Sequence, residues 1–195
     1  MPPSDSMEFF KGFLKHPRAV GAVLPSSVHL ANELLRHVDW KTSRALAEIG
    51  PGTGPITQSI LDQRQKTTVF FAVELDRQFV KLLQSRFPEA DIVHADALEL
   101  RHLCDSRQIH HLDALISGLP WAVFPSELQL NLLAAVLDSL GPKGRFSTFA
   151  YIHGLWLPAG IRFRSLLKEH FDSVETSPIV WRNTPPAIVY HCQKK

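Results

Sequence analysis

Four short stretches of this 195-residue chain carry groups whose type and spacing could do chemistry. The first is Ala47-Glu48-Ile49-Gly50-Pro51-Gly52-Thr53-Gly54, an apolar run closed by a carboxylate and followed by a glycine at every second position. Glycine lets the backbone take positive φ and lets a ligand approach the main chain without meeting a Cβ. The second is Glu74-Leu75, which ends another apolar run, the third is Asp96-Ala97, and the fourth is Ser117-Gly118-Leu119-Pro120-Trp121. Spacing excludes two familiar ligands. A dinucleotide turn wants Gly-x-Gly-x-x-Gly, and the third glycine position is Pro55. No Lys-Ser/Thr pair follows, so the turn is not a phosphate-gripping P-loop. Glu74 lies 20 residues after Gly54, where an acid can accept from both hydroxyls of a ribose. Asp96-Ala97 suits an adenine, the carboxylate accepting from the exocyclic amine and a neighbouring backbone N–H serving a ring nitrogen. Further along, Tyr151 and His153 are the nearby groups able to act as a base. Trp121, Phe124, Tyr151 and Trp156 could surround an organic cation by cation–π contact.

These stretches must be held by something, and the pattern of apolar residues says what. Ser26 or Ser27 can cap a helix burying Leu30, Leu34, Leu35 and Val38. Residues 44–49 read as a strand, and the helix after Gly54 buries Ile56, Ile60 and Leu61. Thr67–Glu74 is a continuous apolar run, as in a parallel strand covered on both faces. Asp76 caps a helix carrying Phe79, Val80, Leu82, Leu83 and Phe87, which Pro88 ends. Strands follow at Asp91–His94 and around Asp113–Ile116. Ser126 and Gln129 have capping-box spacing for a helix that runs through Leu137 and stops at Gly141-Pro142. Gly144–His153 is a strand, and Pro158 opens a helix with Ile161, Phe163, Leu166, Leu167 and Phe171. Two β-rich runs, Ser173–Trp181 and Ala187–Cys192, are joined closely enough to pair antiparallel. The expectation is one doubly wound α/β domain over 1–195, a mostly parallel seven-stranded sheet ending in an antiparallel hairpin.

A net charge of +2 gives no footprint for nucleic acid. No apolar run reaches the roughly 20 residues that span a bilayer. Cys104 and Cys192 lack metal-ligand spacing, and His110-His111 has no third partner, so no metal site is expected. The expected location is cytoplasmic, and no obligate protein partner is evident. The segment 7–27 stands apart as a helix or lid. Phe9, Phe10, Phe13 and Leu14 fall on one helical stripe, with Lys11 and Lys15 on another face. Such a segment can lie in a membrane interface or pack onto the domain.

Taken together, the strand-end motifs resemble those of class I S-adenosylmethionine-dependent methyltransferases. Glu48–Gly54 looks like their first motif, Val73-Glu74 their second, His94–Ala97 their third and Asp113–Pro120 their fourth. The resemblance implies S-adenosylmethionine as cofactor. It places Glu48, Gly50, Gly52, Gly54, Glu74, Leu75, Asp96, Ala97, Ser117 and Gly118 around that cofactor. Phe13–Ser26, Ile116–Pro120 and Val180–Ala187 are similar to blocks of the bacterial phospholipid N-methyltransferases. That similarity implies methylation of the phosphatidylethanolamine amine toward phosphatidylcholine, by a protein held on the inner face of the membrane through Phe9–Lys15. At Tyr151-Ile152-His153 the chain departs from the pattern of that family, leaving ornithine lipids and other amines open as acceptors. Ribosomal RNA adenine-N6 dimethylases share the first two motifs, but their fourth reads Asn-Leu-Pro-Tyr where this chain has Gly118-Leu119-Pro120-Trp121. The Asn that would accept the adenine amine is therefore missing. A small-molecule amine methyltransferase and a catalytically silent cofactor-binding protein at membranes are the remaining alternatives.

Overall fold

A computed structural model describes residues 26–195; the expected helix or lid over 7–27, with its membrane-facing residues Phe9–Lys15, lies almost wholly outside them. Helix α1 (Val28–Leu35) is capped by Ser27, whose hydroxyl accepts from Leu30 N–H. Five βα units follow: β1 (Ala45–Ile49) with α2 (Pro55–Gln63), β2 (Val69–Glu74) with α3 (Arg77–Arg86), β3 (Asp91–His94) with α4 (Leu100–Asp105), β4 (Leu112–Ser117) with α5 (Ser126–Ser139), and β5 (Leu140–Tyr151) with α6 (Pro158–His170). The chain closes with β6 (Ser173–Thr176) and β7 (Ala187–Gln193).

The sheet order is β3-β2-β1-β4-β5-β7-β6, with β7 antiparallel between β5 and β6. Seven strands, mostly parallel with an antiparallel end, match the expected architecture. Parallel strands need both faces covered, and two apolar clusters do this. On one face α4, α5 and α6 pack Leu100, Leu133 and Leu167 against Phe71, Leu115 and Phe146. On the other, α1, α2 and α3 pack Leu34, Ile60 and Leu83 against Phe70, Ile116 and Val189. Strand order reverses direction at β1 and β4, which opens a crevice above their carboxyl ends.

Several local expectations need correction. Ser126 and Gln129 form no capping box: Pro125 precedes the first helical turn, and no side chain caps it. Gln129 is buried instead, and its Nε2 donates to Trp121 O at 2.7 Å and Ala159 O at 2.9 Å. Its Oε1 accepts from Arg162 Nε at 3.1 Å, so one amide ties α5, α6 and the turn after β4 together. The helix also stops before Gly141-Pro142, which lie inside β5. Leu82 and Ile161 sit on solvent faces of their helices. The run Ser173–Trp181 is a strand only to Thr176, and beyond it a single bridge pairs Val180 with Ala187. Helix α4 is an element that apolar periodicity does not mark.

Gln129→Leu keeps the size of the side chain but removes the bonds to Trp121 O, Ala159 O and Arg162 Nε that tie the three elements together. It is expected to cost roughly 1–3 kcal/mol in urea unfolding. A loss below about 0.5 kcal/mol would mean water replaces the amide.

Candidate functional site

Register sets the site. Ile49 of β1 lies level with Val73 of β2 and Ser117 of β4, and Ser117 lies level with Thr148 of β5. The residues just past this row are Gly50, Glu74 and Gly118. The three glycines of the first turn all have positive φ: 69° at Gly50, 57° at Gly52 and 90° at Gly54, which leads into α2. At Gly52 a Cβ would meet nothing within 4 Å. The turn is thus open on that side, as a ligand cradle must be.

Glu48 is fully buried beneath the turn. Its Oε2 accepts from Thr57 Oγ1 at 2.7 Å, and its Oε1 has no partner among the described residues. Burial pushes its carboxyl up to about 8, with Thr57 opposing and the negative charge of Glu74 adding to the rise. A buried acceptor atom without a partner, two residues before the glycine turn, is what a bound cation or N–H group would satisfy. Thr57, the partner of Glu48, was not foreseen; its place in the first turn of α2 was the available signal.

Glu74 is also buried. Its Oε2 accepts from Gly52 N at 3.0 Å and its Oε1 from Asp76 N at 2.9 Å. Burial raises its pKa, and the backbone N–H donors offset part of that rise. Asp96 accepts from Leu98 N at 2.9 Å and so caps the short turn beginning at Ala97. His94 Nε2 lies 3.1 Å from Leu75 O, fixing the chain between the second and third motifs.

The fourth motif is more structural than expected. Ser117 Oγ accepts from Trp121 Nε1 at 2.9 Å and from Leu119 N at 3.2 Å. Gly118 N donates to Ile49 O, and a Cβ on Gly118 would overlap the Gly50 carbonyl oxygen. The first and fourth turns therefore touch backbone to backbone.

Beside them is an open-mouthed pocket with about 530 Å³ of empty space, lined by Pro120–Val123, Phe149–Tyr151, His153, Gly154 and Leu157. It exists because β5 runs three residues past Thr148, about 10 Å of extra strand. Tyr151 and His153 stack with ring centroids 5.6 Å apart. Burial raises the Tyr151 phenol above its ordinary value. None of the ten lining residues is acidic.

The four-aromatic cage is not assembled. Tyr151 lines the pocket, and so does Trp121, but the Trp121 ring is stacked on Phe163 at 4.5 Å with its N–H used. Phe124 is buried in the core against Trp121. Trp156 is 80% exposed and does not line the pocket. Phe149, Val123 and Leu157 form walls that the sequence did not single out.

Comparison with known proteins places this geometry. A family model described as ribosomal RNA adenine dimethylase matches residues 26–123, which end just after the fourth turn. An ornithine lipid N-methyltransferase from Singulisphaera acidiphila is 33% identical over 192 residues, covering 97% of this chain and 96% of that protein. A ribosomal RNA small subunit methyltransferase A from Mycoplasma mycoides is 27% identical over 114 residues, covering 56% of this chain and 41% of that longer protein. The fold matches an O-methyltransferase from Bacillus cereus, solved with SAH, at a TM-score of 0.66 and 12% identity, covering 100% and 93% of the two chains. Human methyltransferase-like protein 13, also solved with SAH, superposes at 0.62 with 18% identity over 86% of this chain and 79% of its own. With an open glycine turn over a buried Glu48, acids ending β2 and following β3, and a relative matching nearly end to end, the chain belongs to the class I S-adenosylmethionine-dependent methyltransferases.

Proposed function

We propose that this enzyme N-methylates the amine of a membrane lipid head group. Phosphatidylethanolamine and its partly methylated forms are the acceptors implied by the resemblance of Phe13–Ser26 and Val180–Ala187. An ornithine lipid is the acceptor implied by the Singulisphaera relative. The observation that carries the reading is the pocket beside the fourth turn. Its walls are apolar and hold no carboxylate.

The residues at the strand ends fit S-adenosylmethionine. The unpartnered Glu48 Oε1 suits its ammonium, Glu74 the ribose hydroxyls, and Asp96 with the Ala97 N–H the adenine. When bound, the cofactor supplies an electrophilic methyl on a sulfonium, so the protein need only position the acceptor nitrogen in line with it. A protonated amine has no lone pair. An apolar pocket without a counter-carboxylate disfavours the ammonium and so favours the neutral, nucleophilic amine. Because burial holds the phenol of Tyr151 protonated, Tyr151 acts as an orienting hydroxyl rather than as the base. His153, stacked on it at the pocket wall, has the ring nitrogen that takes the proton. The enzyme would work as a peripheral protein on the inner membrane face. Among the described residues no helix is long and apolar enough to cross a membrane.

Adenine-N6 methylation of ribosomal RNA is the second reading, favoured by the family match over 26–123. Against it stands Gly118, which leaves no side-chain acceptor for an adenine amine and has no room for one.

The test is incubation with labelled S-adenosylmethionine and vesicles holding phosphatidylethanolamine, vesicles doped with an ornithine lipid, or ribosomal RNA. Label is expected in lipid. Label on RNA or free amines alone would overturn the proposal, and the two vesicle arms separate the two head groups.

A further inference from the structure

Two of the four tryptophans are in water. Trp156 is 80% and Trp181 70% exposed, although they lie 25 residues apart in the sequence. Both leave the same end of the sheet. Trp156 ends the short helical turn Ile152–Trp156 that continues β5 and lines the pocket through His153 and Gly154. Trp181 lies in the turn before β7, next to the Val180–Ala187 bridge, and Ala187 pairs with Tyr151 at the end of β5. Ile152 N donates to Pro186 O at 3.0 Å, binding the two turns together.

Leu157 extends this rim, being both a wall of the pocket and 40% exposed. One turn on, Ile161 faces solvent at the start of α6, with Arg164 following on the same stripe. Arg182 is exposed beside Trp181. From Ile152 to Lys168 the sequence contains no Asp or Glu but three Lys or Arg. The rim beside the pocket therefore carries exposed aromatic and aliphatic groups with Arg164 and Arg182 among them. Ser27 N donates to Asn183 Oδ1 at 2.9 Å, two residues past Trp181, so the residues just before α1 are tied to the same turn.

We propose that Trp156, Leu157, Ile161 and Trp181, with Arg164 and Arg182, form a second membrane-docking surface, which seats the pocket mouth on an anionic bilayer interface. Tryptophan favours the interfacial zone, where an apolar ring meets a polar edge. Arginines beside it are drawn to anionic lipid. The surface rests on the lipid-amine reading for its purpose: a pocket opening onto the bilayer receives a head group without drawing the lipid into water.

The experiment uses the full chain and vesicles of phosphatidylethanolamine with phosphatidylglycerol, some carrying brominated acyl chains. Trp121 is buried and Trp40 partly so; quenching by shallow bromines therefore reports Trp156 and Trp181. Expected are a blue shift and strong quenching, and an affinity loss of about tenfold or more for Trp156→Ser with Trp181→Ser. The Phe pair, Trp156→Phe with Trp181→Phe, is expected to restore most of the binding. Affinity for S-adenosylhomocysteine and the unfolding temperature should stay unchanged, which separates docking from folding. Unchanged vesicle affinity in the Ser pair would overturn the proposal. So would a concentration-dependent dimer that the Ser pair abolishes, which would make this face a contact between copies. If the tryptophans insert but no lipid is methylated, the docking surface stands and the acceptor assignment fails.

Discussion

Gly118→Ala should unfold the enzyme at lower temperature and weaken cofactor binding, although the change adds only one methyl group. The new Cβ would overlap the carbonyl oxygen of Gly50, which is backbone and cannot rotate away. Relief would require separating the first and fourth turns, and the Gly118 N–H to Ile49 O bond holds them together. A cost of roughly 1–3 kcal/mol follows for a forced main-chain shift. Affinity for S-adenosylhomocysteine should fall more than tenfold, read by calorimetry on the fraction that remains folded. Gly52→Ala is the internal contrast. Its Cβ has open space but a backbone at φ 57°, which costs about 1–2 kcal/mol, and its main effect would be to fill the cradle. If Gly118→Ala binds the cofactor normally, the turns are more separable than the structure implies. Gly118→Asn, which writes the dimethylase acceptor into the fourth motif, should give no RNA methylation for the same steric reason.

Glu48→Gln should separate stability from binding. With its carboxyl pushed up to about 8, Glu48 holds a proton in the empty fold at neutral pH. The unfolded chain titrates that group near 4.5. A carboxyl whose folded value is raised contributes stability that is fully present below 4.5 and is lost as pH rises through about 8. The Gln variant, unable to charge, should lose this downward slope and become the more stable protein above pH 8, as followed by thermal unfolding across pH 5–9. Cofactor affinity should move the other way, falling about 10- to 100-fold with loss of a charge-assisted contact to the ammonium. The parent has one more signature. Pairing with a cation favours the carboxylate, so binding below pH 8 should release a proton. Calorimetry of S-adenosylhomocysteine in buffers of different ionisation enthalpy would detect it. Heat that is independent of the buffer would remove Glu48 from the ammonium site.

The donor half of the molecule was legible in the sequence because its signals are local. Thr67–Glu74 is apolar throughout and ends in an acid, and Gly50, Gly52 and Gly54 mark a turn by their own spacing. Gln129 was misread for the opposite reason. Its spacing from Ser126 suggested a cap, but its partners are Trp121 O and Ala159 O, which only tertiary packing brings near. Gly141-Pro142 read as a helix stop, and they do follow the helix, yet β5 had already begun at Leu140. Helix α4 is six residues long, too short for its Leu100–Leu103–Cys104 stripe to stand out. Trp121, Phe124 and Trp156 look equivalent in the sequence as candidates for one aromatic cage. Burial separates them, with two in the core and one in solvent.

Strand β5 gives the enzyme a ruler. The donor turn is fixed where β1 ends, level with Thr148, and Tyr151 stands three residues further on. The reach of the acceptor site is thus counted in strand residues, at about 3.3 Å each. Removing two residues between Thr148 and Tyr151 would shorten that reach while keeping each side chain on its face. Removing one would turn the pocket wall inside out. Acceptors of different length could therefore be accommodated in steps of two residues of β5, while the turn that grips the donor stayed as it is.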